Sequence, residues 1–306
     1  MTSKILVEET VLEKPSIESF LETIQKKGAK QYTLYRGQSR KQQGSQTLKA
    51  KPSIARNTNN SPKQFFDFLK KTGNFKEFAI PVGVESGEVP EWVSNINDIN
   101  WLELEKIIME RFEELSMKVG DTENLNRLEQ LVKAQHLGIP TRLLDWTTNP
   151  LKALFFAVYN SNYYSTPSGE GIDGVVYLLN YNWRSVKNRK IINSKLESND
   201  SSIENIQPFF PKPTNHPRVY AQESCFTIFP YPENFEEMKA LEEIKEGEYD
   251  TINRIAKIII PANYKYTLHT YLELFTGINY TTLFPDLDGV AKEINGFFER
   301  VFRVPK

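Results

Sequence analysis

Polar residues that could bind or cleave a charged small molecule cluster around a short apolar stretch in the middle of the chain. Arg142 and Asp145 are three residues apart, and Thr147 and Thr148 follow just before an Asn-Pro pair and an apolar run. Capping oxygens followed by proline are typical of a helix start. Because free N–H groups at a helix N-terminus attract anions, residues 148–151 are predicted to bind a phosphate or a carboxylate.

Two further groups of residues extend this candidate site. Arg36 lies at the predicted exit of a short aromatic strand, and its guanidinium could clamp an anion together with that of Arg142. His136 and Trp146 lie beside predicted turns and are candidate ligand-binding residues. Each also has a structural alternative: Asp145 in a buried ion pair with an arginine, Trp146 in the core, and His136 as a capping or packing side chain.

The motifs resemble those of one family. The segment Gln135–Ala157 resembles the central signature of the FRG domain family, and Tyr35-Arg-Gly-Gln38 resembles the Phe-Arg-Gly element that names it, with tyrosine in place of phenylalanine. The stretch from Gly277 to Gly289 agrees in order. The late Gln-x-Gly-x-Phe element corresponds to Gln222–Phe226, where Ser224 replaces the glycine. The resemblance implies a bacterial protein with a poorly defined activity.

The resemblance covers about residues 30 to 290, and the order of its parts is also similar to that of ADP-ribosyltransferases. In that architecture an arginine binds a phosphate of NAD, a hydroxyl holds the ribose region, and a carboxylate stabilises the oxocarbenium-like transition state. This similarity implies NAD as the cofactor and Arg36, Asp145 and Glu223 as the catalytic residues.

The part of the ADP-ribosyltransferase pattern that supplies the carboxylate, a late strand with Gln or Glu two residues before Glu, fits this sequence poorly. On the strand expected over residues 218–229, Gln222 and Glu223 would point to opposite faces, because side chains alternate along a strand. Asp145 is therefore the first candidate for the catalytic carboxylate. The expected ligand-binding residues are six in number: Arg142, Trp146, Thr147, Thr148, Gln222 and His136.

Several functions remain open at this stage. The chain could be an ADP-ribosyltransferase or an NAD glycohydrolase, or it could be a non-catalytic module that senses a nucleotide or binds a partner or a nucleic acid. The best candidate nucleic-acid patch consists of six basic residues: Arg36, Arg40, Lys41, Lys49, Lys51 and Arg56. The expected partner is a phosphate-bearing small molecule, and the sequence names no macromolecular target. The three histidines lack metal-ligand spacing, so no metal is expected.

The elements that must position these residues mix strands and helices, which predicts an α+β fold with a mixed central sheet flanked by helices. Residues 1–30 are expected to form an N-terminal helix and extension, and residues 31–306 a single FRG-type domain with a helical insertion at about 61–120. The acidic segment 233–248 is expected to form a solvated helix, and residues 287–302 a terminal amphipathic helix.

Composition sets further bounds. The chain has 306 residues, 38 basic and 39 acidic side chains, and a single cysteine. A net charge of -1 gives no global attraction to polyanions, and one cysteine cannot form an internal disulfide or a Cys-x-x-Cys motif. No apolar run approaches the ~18–20 residues of a membrane-spanning helix. A cytoplasmic protein with no membrane partner is expected.

Overall fold

A computed structural model describes the following residues: 7–39, 42–43, 46–47, 49–56, 100–117, 125–159, 172–198, 203–212, 217–232 and 238–302. Of the predicted insertion at about 61–120, only residues 100–117 lie within this described part. They form a helix, and the rest of that prediction lies outside the described residues.

A seven-stranded sheet is the centre of the fold. Its strands, in chain order, are β1 (Val7–Val11), β2 (Thr33–Gln38), β5 (Leu143–Thr147), β6 (Gly174–Tyr181), β7 (Gln207–Phe209), β8 (Ser224–Ile228) and β9 (Ile252–Ile260), while β3 (Gln42–Gln43) and β4 (Gln46–Thr47) form a separate hairpin. The spatial order is β1-β9-β6-β2-β5-β8-β7. Only β1 and β9 pair in parallel, and the other neighbours are antiparallel. The predicted mixed sheet is confirmed.

Helices flank this sheet, which confirms the α+β class. Those that the structure describes are α1 (Ile17–Lys26), α2 (Trp101–Met117), α3 (Arg127–His136), α4 (Pro150–Val158), α5 (Arg189–Glu197), α6 (Pro217–Ala221), α7 (Lys265–Tyr271), α8 (Tyr280–Leu283) and α9 (Leu287–Phe302). Side chains accept the first free N–H groups of several helices: Ser16 caps α1, Asn126 caps α3 and Asn149 caps α4, where the Asn-Pro pair predicts a helix start.

Two of the three clusters of buried apolar side chains in the described residues contain the helices that position the candidate site. In one, α4 and α7 pack on β6 and β9 through residues such as Phe155, Leu178 and Leu268. In the other, α3 and α5 pack on β5 and β8 through residues such as Leu131 and Phe226. The sheet is continuous beneath both clusters, and the candidate site is found where β2 meets β5.

Two predicted elements are wrong. Residues 218–229 do not form one strand: α6 ends at Ala221, a turn contains Gln222 and Glu223, and β8 begins only at Ser224. The acidic segment 233–248 is not a helix over its described part, where residues 241–243 form a single 3-10 turn. In the first case, tertiary pairing with β5 sets where the strand begins, which residue alternation cannot show.

The terminal helix predicted over 287–302 is confirmed as α9. No helix in the described part of the chain is long and apolar enough to cross a membrane.

Candidate functional site

A cavity of about 270 Å³ opens where β2 and β5 separate. Strand β2 supplies Arg36, β5 supplies Asp145, and the end of α3 supplies His136. The remaining lining residues come from these two strands, from α3, α4 and α6, from the turn after α6, from the start of β8 and from the residue after α8: Tyr35, Gly37, Gln135, Trp146, Thr147, Phe156, Arg218, Gln222, Ser224 and Phe284. The cavity therefore combines an acid, two arginines and several aromatic rings.

Arg36 and Asp145 form the polar centre of this cavity. Strands β2 and β5 share a single register pair, Tyr35 with Thr147, so the strands diverge beyond it. In the gap, Nη1 of Arg36 donates to the backbone carbonyl of Asp145 at 2.9 Å and lies 3.5 Å from its carboxylate. The predicted convergence of Arg36 and Asp145 is confirmed, and a side chain replaces the missing strand pairing.

A hydrogen-bond chain fixes the carboxylate of Asp145. Nε2 of Gln135 donates to Oδ2 of Asp145 at 2.8 Å. The side-chain oxygen of Gln135 in turn accepts from the hydroxyls of Thr141 at 2.6 Å and Ser53 at 3.1 Å. These two donors set the orientation of the amide, so its NH2 group must face Asp145. Gln135 lies within the segment that resembles the FRG signature, but an uncharged amide in that segment does not by itself indicate a role in the site.

Close packing explains why position 37, in the Tyr-Arg-Gly element, is a glycine. A Cβ atom at Gly37 would lie 1.8 Å from the carbonyl oxygen of Ala153 in α4, and one at Gly174 would lie 2.2 Å from that of Ala157. Helix α4 therefore packs directly against the backbones of β2 and β6. This close approach brings Phe156 of α4 to the wall of the cavity beside Arg36.

The predicted anion site at the N-terminus of α4 is wrong, because its N–H groups are already satisfied. The N–H of Thr148 donates to the carbonyl of Glu223, that of Asn149 to the hydroxyl of Thr147, and that of Leu151 to the Asn149 side chain. Residue 150 is proline and has no N–H. Thr148 does not line the cavity, and no backbone donor remains for an external phosphate over 148–151.

Glu223 supplies the anion at this helix start. Its carboxylate accepts from Nζ of Lys152 at 2.8 Å, from Oγ1 of Thr148 at 3.2 Å and from Nδ2 of Asn149 at 3.3 Å. Burial raises the pKa of Glu223, but the hydrogen bonds from Lys152 and Asn149 outweigh it and hold the pKa below its usual value. The candidate catalytic carboxylate at 223 is bound to α4 and does not line the cavity.

The turn before β8 explains why Gln222 and Glu223 separate. Glu223 has φ of 48°, the left-handed conformation that side chains other than glycine seldom adopt. The turn sends Gln222 toward the cavity, where its Nε2 donates to the carbonyl of Leu283 at 3.1 Å. Gln222 and Glu223 do point in different directions, as predicted, but they do so because they lie in a turn and not because they alternate along a strand.

Arg142 does not belong to the cavity, which corrects its predicted role in the clamp. It is 1% exposed, and its guanidinium lies 3.0 Å from Oε2 of Glu105 in α2 and 4.3 Å from the ring centre of Tyr231. Its structural alternative, a buried ion pair, is the observed one, although the partner is Glu105 and not Asp145. The second cavity arginine is Arg218.

Arg218 was missed because it fell within the predicted strand 218–229. Its guanidinium pairs with Asp286 at 2.5 Å and Asp288 at 3.0 Å, and it lies 5.4 Å from the ring centre of Phe284. These hydrogen bonds raise the pKa of Arg218 and lower that of Asp286. The signal for it was the Leu-Phe-Pro-Asp-Leu-Asp stretch at 283–288, whose two acids can pair with a basic side chain.

The side chains of the remaining predicted residues differ in how far they are exposed to the cavity. His136 lines the cavity, and its ring meets Phe226 edge-on at 5.6 Å. Thr147 also lines it while its hydroxyl accepts from the backbone. Trp146 borders the cavity, but its side chain is buried and its Nε1 donates to Thr227 at 2.9 Å. Of these three side chains, Trp146 and Thr147 are buried, whereas the ring of His136 is partly exposed at the cavity.

Arg56 adds a cation near Arg36. Desolvation of the guanidinium and, to a smaller extent, the charge of Arg36 lower the pKa of Arg56 to about 10 against the opposing charge of Asp145, although the residue as a whole remains exposed. Arg56 is still protonated at neutral pH. Of the predicted nucleic-acid patch, Arg40 and Lys41 lie outside the described residues.

Metal and thiol chemistry find no support in the described part of the chain. No group of three histidine, cysteine, aspartate or glutamate side chains there could hold a metal ion. His216 lies outside the described residues. Cys225 is buried in β8, and burial raises the pKa of its thiol far above the usual value, which disfavours the reactive thiolate.

Comparison with known proteins gives one finding. No curated protein and no solved structure matches the chain significantly. A family model, that of the FRG domain, matches residues 31–165 and so includes β2, α3, β5 and α4, which supply most of the cavity. The elements quoted from 218–226 and 277–289 lie beyond the match. The protein contains an FRG domain.

Proposed function

We propose that the cavity binds a phosphate-bearing nucleotide and that NAD is the ligand to test first. The observation that carries this proposal is Arg36, which lines the cavity with donors to spare. Its Nη1 contacts Asp145, while its buried Nε has no hydrogen-bond partner among the described residues. A buried guanidinium donor without a partner is costly, so a small shift of the Arg36 side chain that brought Nε to a phosphate oxygen would be favourable.

Aromatic walls favour a nucleotide over a simple anion. Phe156 and Phe284 stand 6.0 Å apart in an edge-to-face arrangement, and Tyr35 lies on the β2 side of the same cavity. Such rings contact a nucleobase or a nicotinamide ring through their apolar faces. Arg218, beside Phe284, places a second guanidinium at the cavity, which a diphosphate would share with Asp286 and Asp288.

Asp145 is the acid that this proposal assigns to chemistry, and it is the one carboxylate among the lining residues. In hydrolysis of NAD, the bond between ribose C1′ and the nicotinamide nitrogen breaks, and its electron pair neutralises that nitrogen. Water then adds to C1′ and loses a proton. Asp145, held by Gln135 and with a side chain 42% exposed, would stabilise the positive sugar and accept this proton.

Calorimetry with NAD, ADP-ribose and ATP tests the binding step. Arg36→Ala should weaken binding about 10-fold to 100-fold, the worth of one or two charge-assisted hydrogen bonds. Arg184→Ala, which removes an exposed arginine beside Trp183, is the matched control and should bind as the wild type does. Unchanged affinity in Arg36→Ala would remove Arg36 from the site.

Release of nicotinamide from labelled NAD, with and without a cell lysate, tests the chemical step. Loss of turnover in a folded Asp145→Asn variant supports the enzyme. Binding without turnover would support a nucleotide-sensing module, and absence of both would support a module that binds a partner or a nucleic acid.

A further inference from the structure

The last described helix, α9, presents its apolar side chains to solvent. Leu287 is 85% exposed, Ile294 62% and Phe297 60%. With Val290 and Phe298, these residues form one continuous face, which we name the α9 stripe. The positions 287, 290, 294 and 297 follow the alternating three- and four-residue spacing of a coiled-coil seam.

The opposite face of α9 packs against the domain through small residues. A Cβ atom at Gly289 would lie 1.8 Å from the carbonyl oxygen of Phe284, and Gly296 faces the ring of Tyr280. Between them, the Glu293 carboxylate accepts from the N–H of Tyr280 at 3.3 Å. The helix is thus fixed with its glycines inward and its large apolar residues outward, the reverse of an ordinary surface helix.

The flanks of the α9 stripe favour a protein partner over a lipid surface. Helices that lie on membranes carry mostly lysine and arginine on their polar face. Here the exposed charged residues beside the stripe are mixed in sign, with Asp288 and Lys292. Lys292 is also drawn toward the domain, since its Nζ lies 4.6 Å from the ring centre of Phe284.

We propose that the α9 stripe binds the same stripe of a second copy of this chain, giving a two-fold symmetric dimer. A seam of this spacing is complementary to itself, because each helix supplies both the inserting side chains and the gaps. The stripe exposes roughly 500–600 Å² of apolar surface, so a symmetric pair would bury about 1,000–1,200 Å², the lower range of specific interfaces. A net charge of -1 gives little repulsion between copies.

Sedimentation velocity of the purified full chain at concentrations from about 1 to about 100 μM tests the dimer. The wild type should be dimeric, and Ile294→Glu with Phe297→Glu should raise the dimer dissociation constant about 100-fold or more, because like charges would meet across the seam. Leu274→Glu is the matched control: Leu274 is 70% exposed but lies outside α9, so this variant should remain dimeric.

Circular dichroism must show that the variants fold, as expected for residues that contact solvent in the single copy. A wild type that stays monomeric throughout would overturn the proposal, whether or not it binds lipid vesicles or another protein. Equal dimer affinity in the double variant would overturn it as well.

A thiol cross-link gives a second test that does not depend on removing apolar surface. The single native cysteine, Cys225, is buried, so a cysteine introduced by Ile294→Cys is the accessible one. Mild oxidation should link two copies through residue 294, whereas Leu274→Cys should stay largely unlinked at the same concentration. Equal yields of linked dimer from the two variants would contradict the seam.

Discussion

Two arginine–carboxylate pairs flank β5 and have opposite surroundings. Arg142 and Glu105 are both almost fully buried, with side chains 1% and 3% exposed, and their atoms meet at 3.0 Å. Arg36 and Asp145 are 3.5 Å apart at their charged atoms, and the acid is 42% exposed. In the buried pair, the guanidinium of Arg142 is bound by Glu105 and shielded from solvent. In the cavity pair, Nε of Arg36 has no hydrogen-bond partner among the described residues, and the carboxylate of Asp145 is partly exposed.

The comparison shows that residue type and spacing do not distinguish a structural ion pair from a ligand site. A buried ion requires a close partner, because desolvation costs several kcal/mol per charge. A partly exposed pair is worth about 0–1 kcal/mol in stability, so its residues are available for another task. We therefore expect removal of Arg142 to lower the stability of the protein, and removal of Arg36 to lower its affinity for a ligand.

The largest effect should follow removal of the buried arginine. Arg142→Ala leaves Glu105 buried without its partner and should lower the free energy of unfolding by about 3–5 kcal/mol, measured by denaturant titration. A double variant, Arg142→Met with Glu105→Leu, should recover most of that loss because it removes both charges. A loss below about 1 kcal/mol in Arg142→Ala would mean that the two pairs are energetically alike.

The cavity that contains Arg36 and Asp145 depends on the close packing of α4 against the backbone of β2. Gly37→Ala forces a Cβ atom to within 1.8 Å of the Ala153 carbonyl and should cost about 1–3 kcal/mol of stability, with weaker nucleotide binding. Gly296→Ala is the control, since its nearest neighbour would be 3.9 Å away and alanine favours helix. That change should be neutral or stabilising. Equal stabilities of the two variants would contradict the observed packing of α4.

A smaller, pH-dependent effect is expected from the Lys152–Glu223 pair. The pKa of Glu223 is lowered in the folded protein, so its contribution to stability is present above the unfolded value of about 4.5 and disappears as pH falls through the folded value. Glu223→Gln should therefore lose less than about 1 kcal/mol at pH 7, given the exposure of this carboxylate. Thermal unfolding should show the two proteins converging in acid. A difference that grows in acid would have the wrong sign.

Much of the fold could be predicted because local signals agree with the tertiary structure. Ser16 and Asn149 cap α1 and α4, and Gly277, with φ of 69°, ends the helical segment before it, so residue types typical of helix ends stand where the helices begin and end. The convergence of Arg36 with Asp145 followed from motif order. Neighbouring residues determine the conformation at the helix ends, whereas the convergence of the distant Arg36 and Asp145 was expected from the family resemblance.

Other features depend on contacts between distant segments. Nothing near Arg142 in sequence reveals that Glu105 lies beside it, and the turn at Glu223 forms because its carboxylate reaches Lys152 and Asn149. The orientation of α9 is a similar case, since periodicity shows an apolar face without showing which way it points. Gly289 decides this by its contact with Phe284.

Nucleotide affinity measured on both pairs is the most direct test of the central claim, which is that Arg36 faces a ligand and Arg142 holds the fold together. Calorimetry with NAD and ADP-ribose would compare the wild type, Arg36→Ala, and the double variant Arg142→Met with Glu105→Leu. We predict that Arg36→Ala keeps its stability to within about 1 kcal/mol and loses affinity, while the double variant keeps affinity. Retained affinity in Arg36→Ala, with loss in the folded double variant, would contradict the account.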